Sequence, residues 1–216
     1  MQRPFKFLNI PNHEQVSQEL LLFLDHHTDF FNDCPQFWNP VEIKLVLQHV
    51  PSLKKFLARH KLMPVLMSVV IFDPATMYTR IHSDPLETYV RILWPVKNCL
   101  GSSTKFYNVP KEFLIEGTQN NWKDPDKNNL DHYTNIEQGV YYATLDREWP
   151  EIDQFELSAP IVFNGAVPHG VNPAVNNAWS KDHANMHQDF RISFTVFFDQ
   201  NLPISKSIDA WTDMGL

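Results

Sequence analysis

Three His-x-Asp triplets occur along the chain: His27-Thr28-Asp29, His82-Ser83-Asp84 and His187-Gln188-Asp189. An imidazole nitrogen and a carboxylate oxygen both suit a divalent first-row metal, so each triplet offers two ligands of a small metal site. Such triplets arise readily by chance in a chain with 10 histidines, and context has to choose among them. His27 and Asp29 fall at the end of a helical pattern, where side chains two apart point in different directions. His187 and Asp189 fall in a polar stretch where nothing fixes them. His82 and Asp84 follow an extended segment, Met77–Ile81, and strand side chains alternate with period two, so both would lie on one face.

A third ligand must come from elsewhere in the chain. In Val167-Pro168-His169-Gly170-Val171 a histidine sits in a short β segment just after Gly165, and Pro168 and Gly170 beside it suit a strand at an edge or at a barrel mouth. Two histidines and one carboxylate on one side of a metal leave three positions open, the facial donor set associated with non-haem iron(II). Each residue also has a plain structural use. His82 and Asp84 suit a surface pair, and His169 suits a hydrogen-bonded core position.

The elements that would carry these residues divide the chain. From His13 to Leu24 the apolar residues Val16, Leu20, Leu21, Phe23 and Leu24 recur at helical spacing. A second helix is predicted to open at Asn39-Pro40, to break before Pro51 and to resume through Leu53, Phe56 and Leu57. After Pro64 the texture changes to short runs rich in Val, Ile, Phe and Tyr. Strands are predicted at Val65–Phe72, Met77–His82, Thr88–Val96, Thr104–Asn108, Gly139–Leu145, Ile161–Phe163, Val167–Val171 and Phe190–Asp199. Strands without intervening helices argue for a mainly β, antiparallel fold of sandwich, jelly-roll or barrel type with flanking α-helices. Trp94, Phe106 and Tyr107 read as core or pocket wall. Two polar stretches, Gly117–Asn135 and Asn172–Asp189, are long enough to be functional loops.

The last strand tests the metal reading independently. Phe190, Ile192, Phe194, Val196 and Phe198 take one face, and Arg191, Ser193, Thr195 and Phe197 take the other. An inward arginine needs an anion, because an unpaired buried guanidinium is costly. A structural Asp or Glu would serve, and so would a bound carboxylate, which a guanidinium with a hydroxyl two residues on is well built to hold. Arg91, on the face of Tyr89 and Leu93, reads as structural.

The order His-x-Asp, then His, then Arg-x-Ser, along a β-rich chain with N-terminal helices, resembles the iron(II)/2-oxoglutarate-dependent dioxygenases of double-stranded β-helix fold. His82-Ser83-Asp84, Val167–Val171 and Arg191-Ile192-Ser193 carry the resemblance, with Arg91–Val96 more loosely, and it spans roughly residues 65–199. It implies a jelly-roll, cupin-like double-stranded β-helix over 63–200, a helical segment over 1–62 and a C-terminal tail over 201–216, in a single domain. By that likeness His82, Asp84 and His169 would be the catalytic Fe(II) ligands, Arg191 and Ser193 would bind the distal carboxylate of 2-oxoglutarate, and O2 would be the oxidant. His169 and Arg191 are 22 residues apart, a longer step than the family often shows. Some relatives anchor the cosubstrate with a lysine on the fourth core strand, for which Lys105 is the alternative. The implied activity is hydroxylation of a small molecule or a peptide side chain, with Trp122, Tyr133, Trp179 and His183 placed to touch it. The rival is a cupin-like metal-binding protein or metalloenzyme that makes no use of 2-oxoglutarate.

Composition limits the alternatives. The chain has 216 residues, 43% hydrophobic and 13% aromatic, with a net charge of -7, so a globular fold is expected and a nucleic-acid partner is not. Two cysteines, Cys34 and Cys99, make no disulfide framework and point to a reducing cytoplasmic setting. The longest apolar run, Leu62–Phe72, is interrupted by Pro64 and Ser68 and is too short to span a bilayer.

Overall fold

The computed structural model describes residues 3–27, 38–72, 81–84, 90–117, 140–144, 146–172 and 191–216, which build two antiparallel sheets with a few helices. The strand β12 (Arg191–Phe198) organises the first sheet. Its Phe194, Val196 and Phe198 are buried on one face and its Arg191, Ser193, Thr195 and Phe197 on the other. Covered on both sides, it lies between β3 (Pro64–Phe72) and β5 (Val90–Lys97). Beyond β5 come β10 (Ile161–Asn164) and β1 (Phe5–Phe7), and beyond β3 comes β2 (Trp38–Val41), giving the order β1-β10-β5-β12-β3-β2.

The second sheet has the order β7-β8-β4-β11-β6-β9. Its strands are β4 (His82–Ser83), β6 (Ser103–Tyr107), β7 (Leu114–Glu116), β8 (Tyr141–Ala143), β9 (Glu151–Glu156) and β11 (His169–Asn172). Along the chain β3, β4, β5 and β6 alternate between the first and second sheets. The strands β9, β10, β11 and β12 alternate back, while β7 and β8 extend the second sheet beyond β4.

Two apolar layers follow from this arrangement. Phe5, Leu93, Ile161 and Phe163 of the first sheet meet Phe106 and Phe155 of the second, so one layer fills the space between the sheets. The other covers the outer face of the first sheet, where Met67, Val69, Ile92, Trp94, Phe194 and Val196 pack against the helices. The helix α1 (His13–His26) supplies Val16, Leu20, Phe23 and Leu24, and α3 (Pro51–Arg59) supplies Leu53, Phe56 and Leu57. Each fully buried Leu or Phe contributes about 1.5–3 kcal/mol. Polar contacts fix α1 on β5: Ser17 Oγ donates to the Pro95 carbonyl at 2.6 Å and Trp94 Nε1 to the His13 carbonyl at 3.3 Å.

The predicted helix start at Asn39-Pro40 is not found. Both residues lie in β2, paired with Val69 and Ser68 of β3. As the outermost strand of its sheet, β2 tolerates a proline that lacks an N–H. The helix α2 (Ile43–His49) begins beyond it, and Pro51 occupies the first turn of α3, as the break before it suggested. The segment after β12 also departs from a simple tail. A turn at Pro203–Ser205 and the helix α4 (Asp209–Asp213) carry Ile204, Ile208, Trp211 and Leu216 into the helix-side core. Among the described residues, no helix is long and apolar enough to cross a membrane.

Candidate metal centre

His82 and His169 become neighbours through strand pairing: β11 pairs with β4 at His169↔His82 and with β6 at His169↔Phe106. Period two then places Asp84 on the face of His82, and a backbone bond from Asp84 N–H to the Gly165 carbonyl, 2.8 Å, pins the end of β4 to the turn between β10 and β11. The imidazole rings of His82 and His169 lie 4.5 Å apart. Asp84 reaches both: Oδ1 is 4.0 Å from His82 Nε2, and Oδ2 is 3.6 Å from His169 Nε2. One ligand atom from each of the three residues falls within 4.8 Å of the others, the spacing at which three donors can share one ion.

The electrostatics suit a cation. His169 is buried among the rings of Phe106 and Phe163, and it is pulled down to about 3, by burial first and by the neighbouring His82 second. It is therefore neutral at physiological pH. Its Nδ1 lies 2.9 Å from the Val167 carbonyl, which can only accept, so Nδ1 carries the proton and Nε2 keeps its lone pair facing Asp84. Burial alone would push the Asp84 carboxyl up, but Arg91, His169 and His82 outweigh it and hold the group below its usual range.

Arg191 and Ser193 lie further along the space between the sheets. Arg191 is 4% exposed and Ser193 fully buried. Arg191 Nε and Ser193 Oγ are buried without a hydrogen-bond partner among the described residues, as are Ser68 Oγ and Thr104 Oγ1. All four side chains take the inter-sheet face, since Met67, Val69 and Phe194 beside them face the helices and Phe106 faces His169. Burial pulls the Arg191 guanidinium below its ordinary value, and the nearby Cys99 thiol opposes the shift.

Lys105 takes the opposite face of β6 from Thr104 and Phe106. There its Nζ pairs with Glu151 Oε2 at 2.7 Å, and the hydrogen bond with that carboxylate raises its pKa. It is directed away from the inter-sheet space and from the His82–Asp84–His169 group. His27 ends α1 with Nδ1 2.7 Å from the Phe23 carbonyl, whereas Asp29 and the His187-Gln188-Asp189 triplet lie outside the described residues. So do nearly all of the two polar stretches, and Trp122, Tyr133, Trp179 and His183 with them.

Two residues near the centre were not read from the sequence as part of it. Arg91 pairs with Asp84 through Nη2 and Oδ2, and Gly165 lies against both side chains. A charged residue inside the apolar run Val90–Trp94 is the available signal for Arg91, because a strand buried on that face requires a partner for it. Gly165 gives no such signal until the turn is placed beside Asp84.

No family model matches the chain, and no curated protein matches it. Two solved structures that align with it are AviO1 from Streptomyces viridochromogenes Tue57 and a non-heme alpha ketoglutarate dependent carbocyclase, SnoK, from nogalamycin biosynthesis. The first is 12% identical with a TM-score of 0.43, over 93% of this chain and 91% of that one. The second is 10% identical with a TM-score of 0.46, over 91% and 80%. At these scores neither likeness bears on what this chain does.

Proposed function

We propose that the chain is an oxygenase that couples oxidative decarboxylation of 2-oxoglutarate to succinate with hydroxylation of a substrate at a non-haem Fe(II) centre. The strands β3–β6 and β9–β12, alternating between two sheets, would be the eight strands of a double-stranded β-helix. His82, Asp84 and His169 fit the metal by their donor chemistry: two imidazoles, one held as a neutral ring with a free Nε2, and one carboxylate kept ionised. A bound ferrous ion supplies the capacity to activate O2, which no side chain of the protein has.

The observation that carries the cosubstrate is the group of polar atoms on Arg191, Ser193, Ser68 and Thr104, buried in the same inter-sheet space with no hydrogen-bond partner among the described residues. A buried guanidinium nitrogen and three hydroxyls without partners are costly unless something polar completes them. A carboxylate does so, because it only accepts hydrogen bonds and carries the compensating charge. Phe197 stands beside Arg91 at the metal end, and Ser193 lies four residues back along β12, roughly 13 Å away. The chain would thus hold one end of the cosubstrate at the metal and the other at Arg191 and Ser193, fixing its orientation before reaction. The rings of Phe106 and Phe163 against His169 would keep bulk water from the inner side of the centre.

Anaerobic addition of Fe(II) and then 2-oxoglutarate to the full chain tests the proposal. A visible charge-transfer band on adding the diacid is the expected result, with Arg191→Gln shifting its half-saturation to higher concentration while metal binding is retained. Bound metal without the band would leave the cupin-like metalloprotein instead.

A further inference from the structure

Besides the two histidines, the Asp84 carboxylate has a third neighbour, Arg91, on the oxygen that also lies 3.6 Å from His169 Nε2. Arg91 Nη2 donates to Oδ2, and Arg91 itself is 9% exposed. Its guanidinium is fixed in turn, with Cζ 4.4 Å from the centroid of Phe163 and 5.4 Å from that of Phe197. A guanidinium between two rings and a carboxylate has little freedom to turn. Gly165 closes the arrangement. A Cβ built there would strike Asp84 Oδ2 and would stand 2.6 Å from Arg91 Nη1 and 3.0 Å from Arg91 Cζ. The positive-φ glycines described are Gly101 and Gly215, so backbone conformation places no demand for glycine at 165. The demand there is for space.

We propose that Arg91 and Gly165 are positioning residues that clamp Asp84, committing Oδ2 to the guanidinium and presenting Oδ1 alone to the metal. The inference rests on the His82–Asp84–His169 metal reading and adds to it how the carboxylate is aimed. A carboxylate free to turn would chelate through both oxygens and occupy a coordination position that the reaction needs open. The clamp keeps three positions available, and it does so from two elements, β5 and the turn between β10 and β11, that are anchored independently of the metal.

Two effects oppose each other when Arg91 is changed. Removing its charge leaves a more negative site that favours a dication, while removing its forked nitrogens frees the carboxylate. Arg91→Lys keeps the charge and loses the fork, and Gly165→Ala keeps both side chains and takes their space, so these two variants report geometry. The measurement is Mn(II) binding to the full chain, followed by electron paramagnetic resonance of free and bound ion, with thermal unfolding recorded beside it. Each variant is expected to bind Mn(II) about 10- to 100-fold more weakly and to change the bound-ion spectrum, with unfolding still cooperative. The double variant is expected to lose less than the sum of the two single losses, because both changes act on the same carboxylate and are therefore coupled.

A folded Gly165→Ala or Arg91→Lys protein with wild-type Mn(II) affinity and spectrum overturns the clamp, and so do strictly additive losses in the double variant. Should Gly165→Ala not fold, Arg91→Lys decides alone. Asp84→Ala separates the two levels of the inference. Loss of Mn(II) binding there, with retention in both clamp variants, sinks the clamp only, whereas unchanged binding in Asp84→Ala sinks the metal reading beneath it.

Discussion

Ser193→Ala should make the protein no less stable and at the same time a poorer binder of 2-oxoglutarate. Ser193 is fully buried, and its Oγ has no hydrogen-bond partner among the described residues. A buried hydroxyl left unsatisfied costs about 1–3 kcal/mol, whereas a typical satisfied one contributes about 1 kcal/mol. Removing Oγ relieves the first cost and leaves a void of one atom, so unfolding free energy should be unchanged or rise by up to about 1 kcal/mol. Binding moves the other way. A hydrogen bond from the hydroxyl to a carboxylate is worth about 1.5–3 kcal/mol, which is roughly 10- to 100-fold in affinity. Urea unfolding with chelator present gives the stability, and anaerobic titration of the Fe(II) protein with 2-oxoglutarate gives the affinity. A stability loss above about 1 kcal/mol would mean that the hydroxyl serves the fold. Unchanged affinity would remove it from the cosubstrate site.

Lys105→Ala should leave 2-oxoglutarate affinity at the wild-type value in the same titration, because the side chain faces Glu151 across the outside of the second sheet. Its effect on stability should stay below about 1 kcal/mol, as for other partly exposed ion pairs. Trp211→Ala should lower stability by about 3–5 kcal/mol in urea, since the ring is fully buried against Phe198 and its Nε1 donates to the Ile204 carbonyl at 2.8 Å. Burial pushes the Cys99 thiol up, so at pH 8 the thiolate is scarce as well as inaccessible. In a Cys34→Ser background, a disulfide reagent should label Cys99 at the rate of unfolding, and labelling as fast as that of a free thiol would contradict its burial.

The parts of the fold legible in the sequence were those where one period dominates. The alternation of Arg191–Phe198 foretold which side chains enter the inter-sheet space, and the spacing of Val16, Leu20, Phe23 and Leu24 foretold the buried face of α1. Three-residue strands such as β1 and β7 are too short to show a period at all. The strand β9, Glu151–Glu156, hides behind its charges, because as the outer strand of its sheet it buries Phe155 and little else. Asn39-Pro40 carried a helix-start signal that pairing with β3 overrode. At the site, His82, Asp84 and His169 were chosen by type and order, and the structure brings them together. Local alternation sets Lys105 on the face opposite Thr104, so the lysine that the family likeness offers as an anchor points away from the inter-sheet space. Arg91 had its charge inside an apolar run to mark it, whereas Gly165 was beyond reach because its place beside Asp84 and Arg91 depends on a contact between a turn and residues more than seventy positions earlier in the chain.

The position of β12 also bears on how the molecule comes into being. It lies between β3 and β5, two strands made far earlier in synthesis, and hydrogen-bonds to both. Until residues 191–198 have emerged from the ribosome, each of those earlier strands has an edge open where β12 will lie, and the first sheet is split into two halves. Contacts of such sequence separation form slowly, and unpaired edges invite association with other chains. Arg191 and Ser193 arrive on the same strand that joins the halves. A nascent chain therefore carries His82, Asp84 and His169 before its first sheet is joined, and the step that completes the sheet is also the step that installs Arg191 and Ser193.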